Sequence, residues 1–337
     1  MKVFTGVILK LNIYDIAKKA QVSIATVSRV LNNSDSVREE TRRRILDIMR
    51  EEGYVPNAFA RGLGLNTMKM VGVMCTDITD SFYANAVGEI ERLLRTRGLD
   101  TVLCCTGNEP SDKRQALESL VNRKVDAVIL IGSVFREQND NSHICTAASS
   151  VPVIIINGFV EAEGVYCVLC DERSAVRRCV SALYRQGGNK ILYLYDTDTY
   201  SGIEKRRGYS EGCAETGLDE MCLKVKRNVD AVAEQVKKLL STAKQPNAVI
   251  ASEDIIAAGA LKALYSRGVK IPVIGFNNSV IAECTTPSLT SVDNLCSSMC
   301  ETAVRIISDI EKGKTISQKT VLSPGLFQRE SFKTDNW

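Results

Sequence analysis

The sequence predicts an α/β protein: an N-terminal three-helix helix-turn-helix domain, then a core of two doubly wound parallel-sheet subdomains. Three observations predict it. Three short helical patterns stand before residue 55. From Met70 onward, apolar strand-like runs alternate with amphipathic helical stretches, as in sheets buried on both faces. The chain has 337 residues, roughly two domains at about 150 each, and its repeated units are too many for one comfortable sheet.

Residues 1–11 carry two lysines and a short apolar piece, too weak for a secretion signal, and are expected to be a disordered lead-in. The DNA-binding-type module is expected over 12–55. Its first helix puts Ile13, Ile16, Ala17 and Ala20 on one face. Gln21-Val22-Ser23 reads as the turn, with Ser23 as N-cap of a second helix from Ile24 to Leu31, which buries Val27, Val30 and Leu31. A polar loop follows, then a third helix over about 39–52 that buries Ile45, Ile48 and Met49 and closes at Gly53. Residues 56–68 read as a hinge linker, too short to hold a helix alone.

The core is expected over 69–337. Strand-like runs are 71–75, 100–105, 126–131, 152–156, 190–195, 247–251 and 271–275. Helices are expected near 83–97, 110–123, 172–186, 205–217, 230–241 and 254–267. The subdomains are expected at about 69–160 with 293–322, and about 161–292 with 323–337. A ligand of such sheets binds beyond the carboxyl ends of the strands, here between the lobes.

Composition narrows the function. Hydrophobic residues make up 45% and charged residues 25%, which excludes a disordered or fibrous chain. No apolar run reaches the roughly 18–20 residues of a membrane span, so no membrane partner is expected. Residues 1–63 hold 11 Lys/Arg against 7 Asp/Glu, whereas the other 274 hold 32 against 33. The positive excess therefore sits in the first fifth of the chain, as for a nucleic-acid module on a neutral body. His143 is the one histidine, which argues against Ser-His-Asp and Cys-His catalysis and against any His-rich metal site. The twelve cysteines, among them Cys75, Cys104, Cys105, Cys213 and Cys222, lie mostly in apolar runs, the usage of a reducing cytoplasm. Cys167 and Cys170 form a CxxC without a second pair at zinc-ribbon spacing. No catalytic residue, cofactor or metal is expected; Walker loops, dinucleotide fingerprints and nucleophile elbows are absent.

The second helix carries the chemistry. A helix entering the major groove needs short residues at its start and one long donor beyond, and Arg suits guanine O6 and N7. Ile24, Ala25 and Arg29 meet that description, while Ser23, Thr26, Ser28 and Asn32 suit phosphate contacts.

The stretch NIYDIAKKAQVSIATVSRVLNNSDSVREETRRRI…GYVPNAFARGL resembles the lactose/galactose repressor family of bacterial transcription regulators. The match is close over 12–63, and residues 70–331 resemble that family's periplasmic-binding-protein-like core through VGVMCTDITDSFYA, KVDAVILIGS, ASEDIIAAGALKAL, VIGFNNS and FQRES. The resemblance implies a cytoplasmic homodimer on near-palindromic double-stranded operator DNA, controlled by a small-molecule effector in the core, with a carbohydrate as the expected class. It places Ile24, Ala25 and Arg29 on bases, Leu63 as a minor-groove wedge and Ala60 beside it.

For the effector, the resemblance implies contacts from Asp77, Phe82 and Tyr83, from Lys205 before Gly208-Tyr209, from Asp254, and from Asn277 after Gly275-Phe276. Lys205 and Asn277 depart from the family's Arg and Asp, so the bidentate fork and the carboxylate are missing. Lys205 is also carried by the Gram-positive catabolite control regulator, which answers to a phosphocarrier protein. Val280 stands where that regulator has an arginine. The remaining alternatives, a solute-binding receptor and a sugar-acting enzyme, conflict with the attached helix-turn-helix and with the missing catalytic motifs.

Overall fold

The computed structural model describes residues 12–31, 34–54, 67–242, 245–335 and 337. They fall into two compact units that part between Lys69 and Met70.

The first unit holds α1 (Ile13–Lys19), α2 (Ile24–Leu31) and α3 (Glu39–Glu51). Asn12 caps α1 by accepting from the Tyr14 and Asp15 amides, and the Asp15 carboxylate accepts the Asn12 amide at 3.0 Å, a reciprocal capping box. Gln21 sits in the left-handed region at φ 52°, which turns the chain sharply between α1 and α2. Ile16, Ala17, Ala20, Val27, Val30, Ile45 and Met49 form one small core. The lead-in 1–11, Asn32 and the linker residues 55–66 lie outside the described residues.

The second unit contains two six-stranded sheets. The first is built from β1 (Met70–Cys75), β2 (Asp100–Cys105), β3 (Ala127–Ile131), β4 (Val153–Ile156), β5 (Val165–Cys170) and a late strand, Lys319–Leu322. Its order is 319–322, β5, β4, β3, β1, β2, all parallel. Strand β3 is buried at every position, because α4 (Ser81–Arg95) and the helix Cys296–Glu311 cover one face, while α5 (Pro110–Asn122) and α6 (Ser142–Ala148) cover the other.

The second sheet is built from β6 (Ile191–Tyr195), β7 (Met221–Lys224), β8 (Ala248–Ala251), β9 (Val273–Phe276), β10 (Thr290–Asp293) and Gly325–Phe327. Its order is 325–327, β10, β9, β8, β6, β7, parallel except for the antiparallel edge 325–327. Helices α7 (Glu172–Arg185) and α8 (Tyr200–Thr216) cover one face, and α9 (Val229–Leu240) and α10 (Asp254–Ser266) the other. A short helix, α11 (Val280–Cys284), precedes β10, and the helix 296–311 is α12.

The chain passes between the two lobes three times, after β5, after β10 and between the two late strands. Strand β5 belongs to the first sheet, so the first passage lies at about residue 171, not near 160 as expected from the sequence. The last two passages lie close to the expected boundaries. Cys167 and Cys170 of the CxxC are three apart on β5 and enter cores on opposite faces of the sheet, which makes them packing residues. No helix among the described residues is long and apolar enough to cross a membrane.

Candidate functional site

The helix-turn-helix surface follows from which face of α2 is buried. Val27 and Val30 point into the small core, which turns Ile24, Ala25 and Arg29 to solvent. Ser23 caps the helix: its Oγ accepts the Thr26 amide at 3.2 Å and lies 2.9 Å from the Thr26 hydroxyl. Ser28 is half-buried beside them. Ala25 and Arg29, four apart, share one face, and among the described residues nothing bonds the Arg29 guanidinium. An α-helix about 10–12 Å across matches the roughly 12 Å major groove, so this face can bring a free guanidinium to base edges. Asn32, Ala60 and Leu63 lie outside the described residues. Tyr14, in the first turn of α1, is 67% exposed and was not singled out in the sequence, although its aromatic ring is unused in packing.

In the second unit, a cleft of about 270 Å³ opens between the lobes, lined by residues just past the carboxyl ends of strands in both sheets. Thr76 and Asp77 follow β1, Ser133 follows β3 and Asn157 follows β4. From the facing lobe come Asp196 after β6, Arg227 after β7, Ser252 and Glu253 after β8, and Asn277 after β9. Phe82, Tyr83 and Lys205 also line it. Five of the six expected effector residues are therefore brought together.

Each is fixed by its surroundings. Lys205 is buried, donates to the Ser252 carbonyl at 3.1 Å, lies 3.3 Å from the Glu172 carboxylate and sits 4.1 Å from the centroid of the Phe276 ring. Glu172 also accepts from the Asn157 amide at 3.0 Å. Gly208 explains why Lys205 is aimed there. A side chain at Gly208 would collide with the Arg173 carbonyl, so only glycine lets α8 lie this close to the start of α7. Tyr209 then anchors α8 by donating to the Ile191 carbonyl at 2.7 Å. Asn277 has φ 101°, a conformation Asn tolerates better than most residues, and accepts from Asn294 at 3.0 Å. Phe82 and Tyr83 meet edge to face at 5.5 Å, and burial pushes the Tyr83 phenol up to about 12.

Asp254 is the exception. It is 1% exposed and faces away from the cleft, accepting from the Ser279 amide at 2.7 Å, the Ser279 hydroxyl at 2.8 Å and the Ser291 hydroxyl at 2.5 Å. Gly275 gives it room, because a side chain there would meet the Asp254 carboxylate. Its neighbour Glu253 lines the cleft instead. At this point of the chain Glu253, and not Asp254, lines the cleft, and Asp254 ties α10 to β10 and to the start of α11.

Arg227 lies in no motif that marks it in the sequence. Its guanidinium pairs with Glu253 on its own lobe and with Asp80 of the other lobe at 2.7 Å. Burial works against its charge, but Glu253 and Asp80 hold its pKa above the ordinary value. Asp80 also caps α4 through the Phe82 amide at 2.8 Å. Among the described residues three further bonds cross the cleft: Ser133 Oγ to Thr199 Oγ1 at 2.9 Å, Gln138 Nε2 to the Asp198 carbonyl at 3.2 Å, and Asn157 Nδ2 to the Glu172 carboxylate at 3.0 Å. Among the described residues, no group of three or more His, Cys, Asp or Glu could hold a metal ion.

Comparison with known proteins agrees with both surfaces. Residues 12–57 match the family described as bacterial regulatory proteins, lacI family, and residues 180–332 match a periplasmic binding protein-like domain. An HTH-type transcriptional regulator of Lachnoclostridium phytofermentans is 42% identical over 330 residues, spanning 95% of this chain and 99% of its own. The regulator AscG of Escherichia coli is 30% identical, spanning 94% and 97%. Among solved structures, a transcriptional regulator CelR–cellobiose complex is similar at TM-score 0.69 and 26% identity, covering 96% of this chain and all of that one. A lac repressor dimer bound to operator and the anti-inducer ONPF shares the fold at TM-score 0.83 and 20% identity, covering 95% and 98%. A helix-turn-helix with a bare recognition face, two parallel-sheet lobes around a polar cleft, and end-to-end likeness to such regulators make this chain a member of the lacI family of bacterial regulatory proteins.

Proposed function

We propose that the protein is a homodimeric transcriptional repressor whose affinity for a two-fold operator is set by a carbohydrate in the interlobe cleft. The observation that carries this reading is the pairing, in one chain, of an exposed Ala25–Arg29 face with a cleft lined by residues from both lobes. Ile24, Ala25 and Arg29 read bases, and Ser23, Thr26, Ser28 and Asn32 hold phosphates. Ala60 and Leu63 act in the minor groove beside them. Two-fold symmetry of the dimer matches two half-sites. In the relatives, cellobiose accompanies CelR and operator with ONPF accompanies the lac repressor, which supports a sugar effector here.

The cleft can work as a switch because the two lobes contribute different walls. A ligand touching Phe82, Tyr83 and Asp77 on one side and Lys205 and Asn277 on the other changes the free energy of lobe closure. A nearly complete switch needs about 10⁴-fold discrimination between states, roughly 5.5 kcal/mol.

The test is a thermal-shift screen of the full chain against mono- and disaccharides, followed by operator-binding assays with each hit. A cleft ligand stabilises by RT ln(1 + [L]/Kd). The reading expects a hit that also changes operator affinity; a stabilising sugar that leaves DNA binding untouched counts against it.

A further inference from the structure

The charges around the cleft narrow the class of ligand, an inference that rests on the cleft being the effector site. Five carboxylates line it: Asp77, Asp80, Glu172, Asp196 and Glu253. Only two cations do, Lys205 and Arg227. Both are already committed. Lys205 lies 3.3 Å from Glu172, and Arg227 is held between Asp80 and Glu253. Two carboxylates, Asp77 and Asp196, have no ion pair of their own and only feel the Arg227 charge from a distance. Asp77 faces the mouth and accepts from the Thr79 amide and hydroxyl at 2.9 and 2.7 Å. Asp196, half-buried, meets only the Ser252 hydroxyl, at the long distance of 3.4 Å, among the described residues.

An anion needs a cation free to receive it, or a row of backbone N–H groups at a helix start. The start of α8 lines the cleft, but Thr199 caps it, its hydroxyl accepting the Gly202 amide at 3.4 Å and its carbonyl the Ile203 amide at 2.9 Å. Here each guanidinium or ammonium would first have to leave a carboxylate, which would then face the incoming charge. Hydroxyl and ammonium donors meet the opposite situation, because Asp196 can accept from them, as can the second lone pair of the Asn277 oxygen that Asn294 leaves open. The aromatic walls of Phe82 and Tyr83 suit the apolar face of a sugar ring.

We propose that the cleft selects a polyhydroxylated ligand without negative charge, neutral or bearing an ammonium group, and rejects phosphorylated or carboxylated counterparts, with Asp80 and Glu253 enforcing the rejection by occupying Arg227. The selectivity is therefore written into an ion-pair cluster that spans both lobes.

The test uses the full chain and matched probes: glucose, galactose, ribose and cellobiose, the 2-amino forms of the two hexoses, and the phosphate esters of all three monosaccharides. Binding is followed by calorimetry, and in parallel the thermal midpoint is measured in inorganic phosphate against chloride at equal ionic strength. The proposal expects every binder to be neutral or amino-substituted, with its phosphate ester at least tenfold weaker. It expects inorganic phosphate to leave the parent midpoint where chloride leaves it. The double variant Asp80→Asn/Glu253→Gln, which frees Arg227, should gain a phosphate-dependent shift that Arg227→Gln abolishes. Should that double variant fold poorly, Glu253→Gln alone should gain a smaller shift of the same sign. A phosphate ester that binds the parent as tightly as the free sugar overturns the proposal, as does a parent phosphate shift lost in Arg227→Gln. If no sugar of any charge binds, the carbohydrate reading fails, whereas the phosphate arm still decides the charge claim by itself.

Discussion

Arg29 is where a single side chain decides most. Its guanidinium stands on the exposed face of α2, four residues beyond Ala25, with no partner among the described residues. Arg29→Ala should cost about 1–3 kcal/mol of operator affinity and relax preference at one base position, read by selection from a randomised duplex pool. An unchanged preferred site would mean that Arg29 reads no base. His143 gives a second, separable prediction. Burial, with Arg114 nearby, lowers its pKa below the ordinary 6.5, so the folded state favours the neutral ring. A lowered histidine gives stability that is present above about pH 6.5 and is lost as pH falls towards its folded pKa. Since no other histidine exists, His143→Gln should flatten the melting temperature between neutral and mildly acid pH; a parent-like slope in the variant assigns the effect elsewhere. At this scale the sequence was informative where a side chain's direction follows from a helix face, as for Ile24, Ala25 and Arg29. It failed at Asp254. Which of Glu253 and Asp254 turns to the cleft depends on the gap left by Gly275 and on the Ser279 and Ser291 hydroxyls, groups remote in sequence.

Most strands buried on both faces were legible in the sequence, although β5 (Val165–Cys170), also covered on both faces, was missed. Strands β1, β3, β4 and β8 are continuous apolar runs because helices cover both faces of their sheets, and they lie near the positions read from the sequence. Of the edge strands, β2 was legible as the run 100–105, but two others were not. Met221–Lys224 and Lys319–Leu322 alternate between half-buried and exposed residues, too short to separate from loop. Strand β10 hid behind polar composition: Thr290 and Ser291 are fully buried with their hydroxyls bonded to the Phe332 carbonyl and to Asp254. The close pairing of α7 and α8 offers an element-scale test. Gly208→Ala pushes a methyl into the Arg173 carbonyl and should cost about 1–3 kcal/mol by overpacking. It should also weaken the cleft ligand, because Lys205 sits one turn away on α8. A variant that melts like its parent would mean the two helices separate freely. Asp254→Ala should behave differently, lowering the midpoint by leaving the Ser291 and Ser279 hydroxyls and the Ser279 amide unpaired, with little change in ligand affinity of the folded fraction.

For the molecule as a whole, two units of different chemistry share one chain: a basic helical module, and two lobes whose cleft is bridged by side chains. The Arg227–Asp80 pair is an ion pair across that cleft and could not be read from sequence, since it joins a loop after β7 to the cap of α4. Arg227→Gln should enlarge the scattering radius of the ligand-free chain by letting the lobes part; an unchanged radius would leave closure to bonds such as Ser133–Thr199, Gln138–Asp198 and Asn157–Glu172. The central claim, that the N-terminal module grips duplex DNA and the core adjusts the grip, is tested most directly by one titration. A selected operator duplex is bound to the full chain across a range of salt concentrations, with and without a cleft ligand. The account predicts log affinity falling linearly with log salt at a slope of about −0.9 per phosphate contacted, and a vertical displacement of that line by the ligand. Binding that ignores both salt and ligand would contradict it.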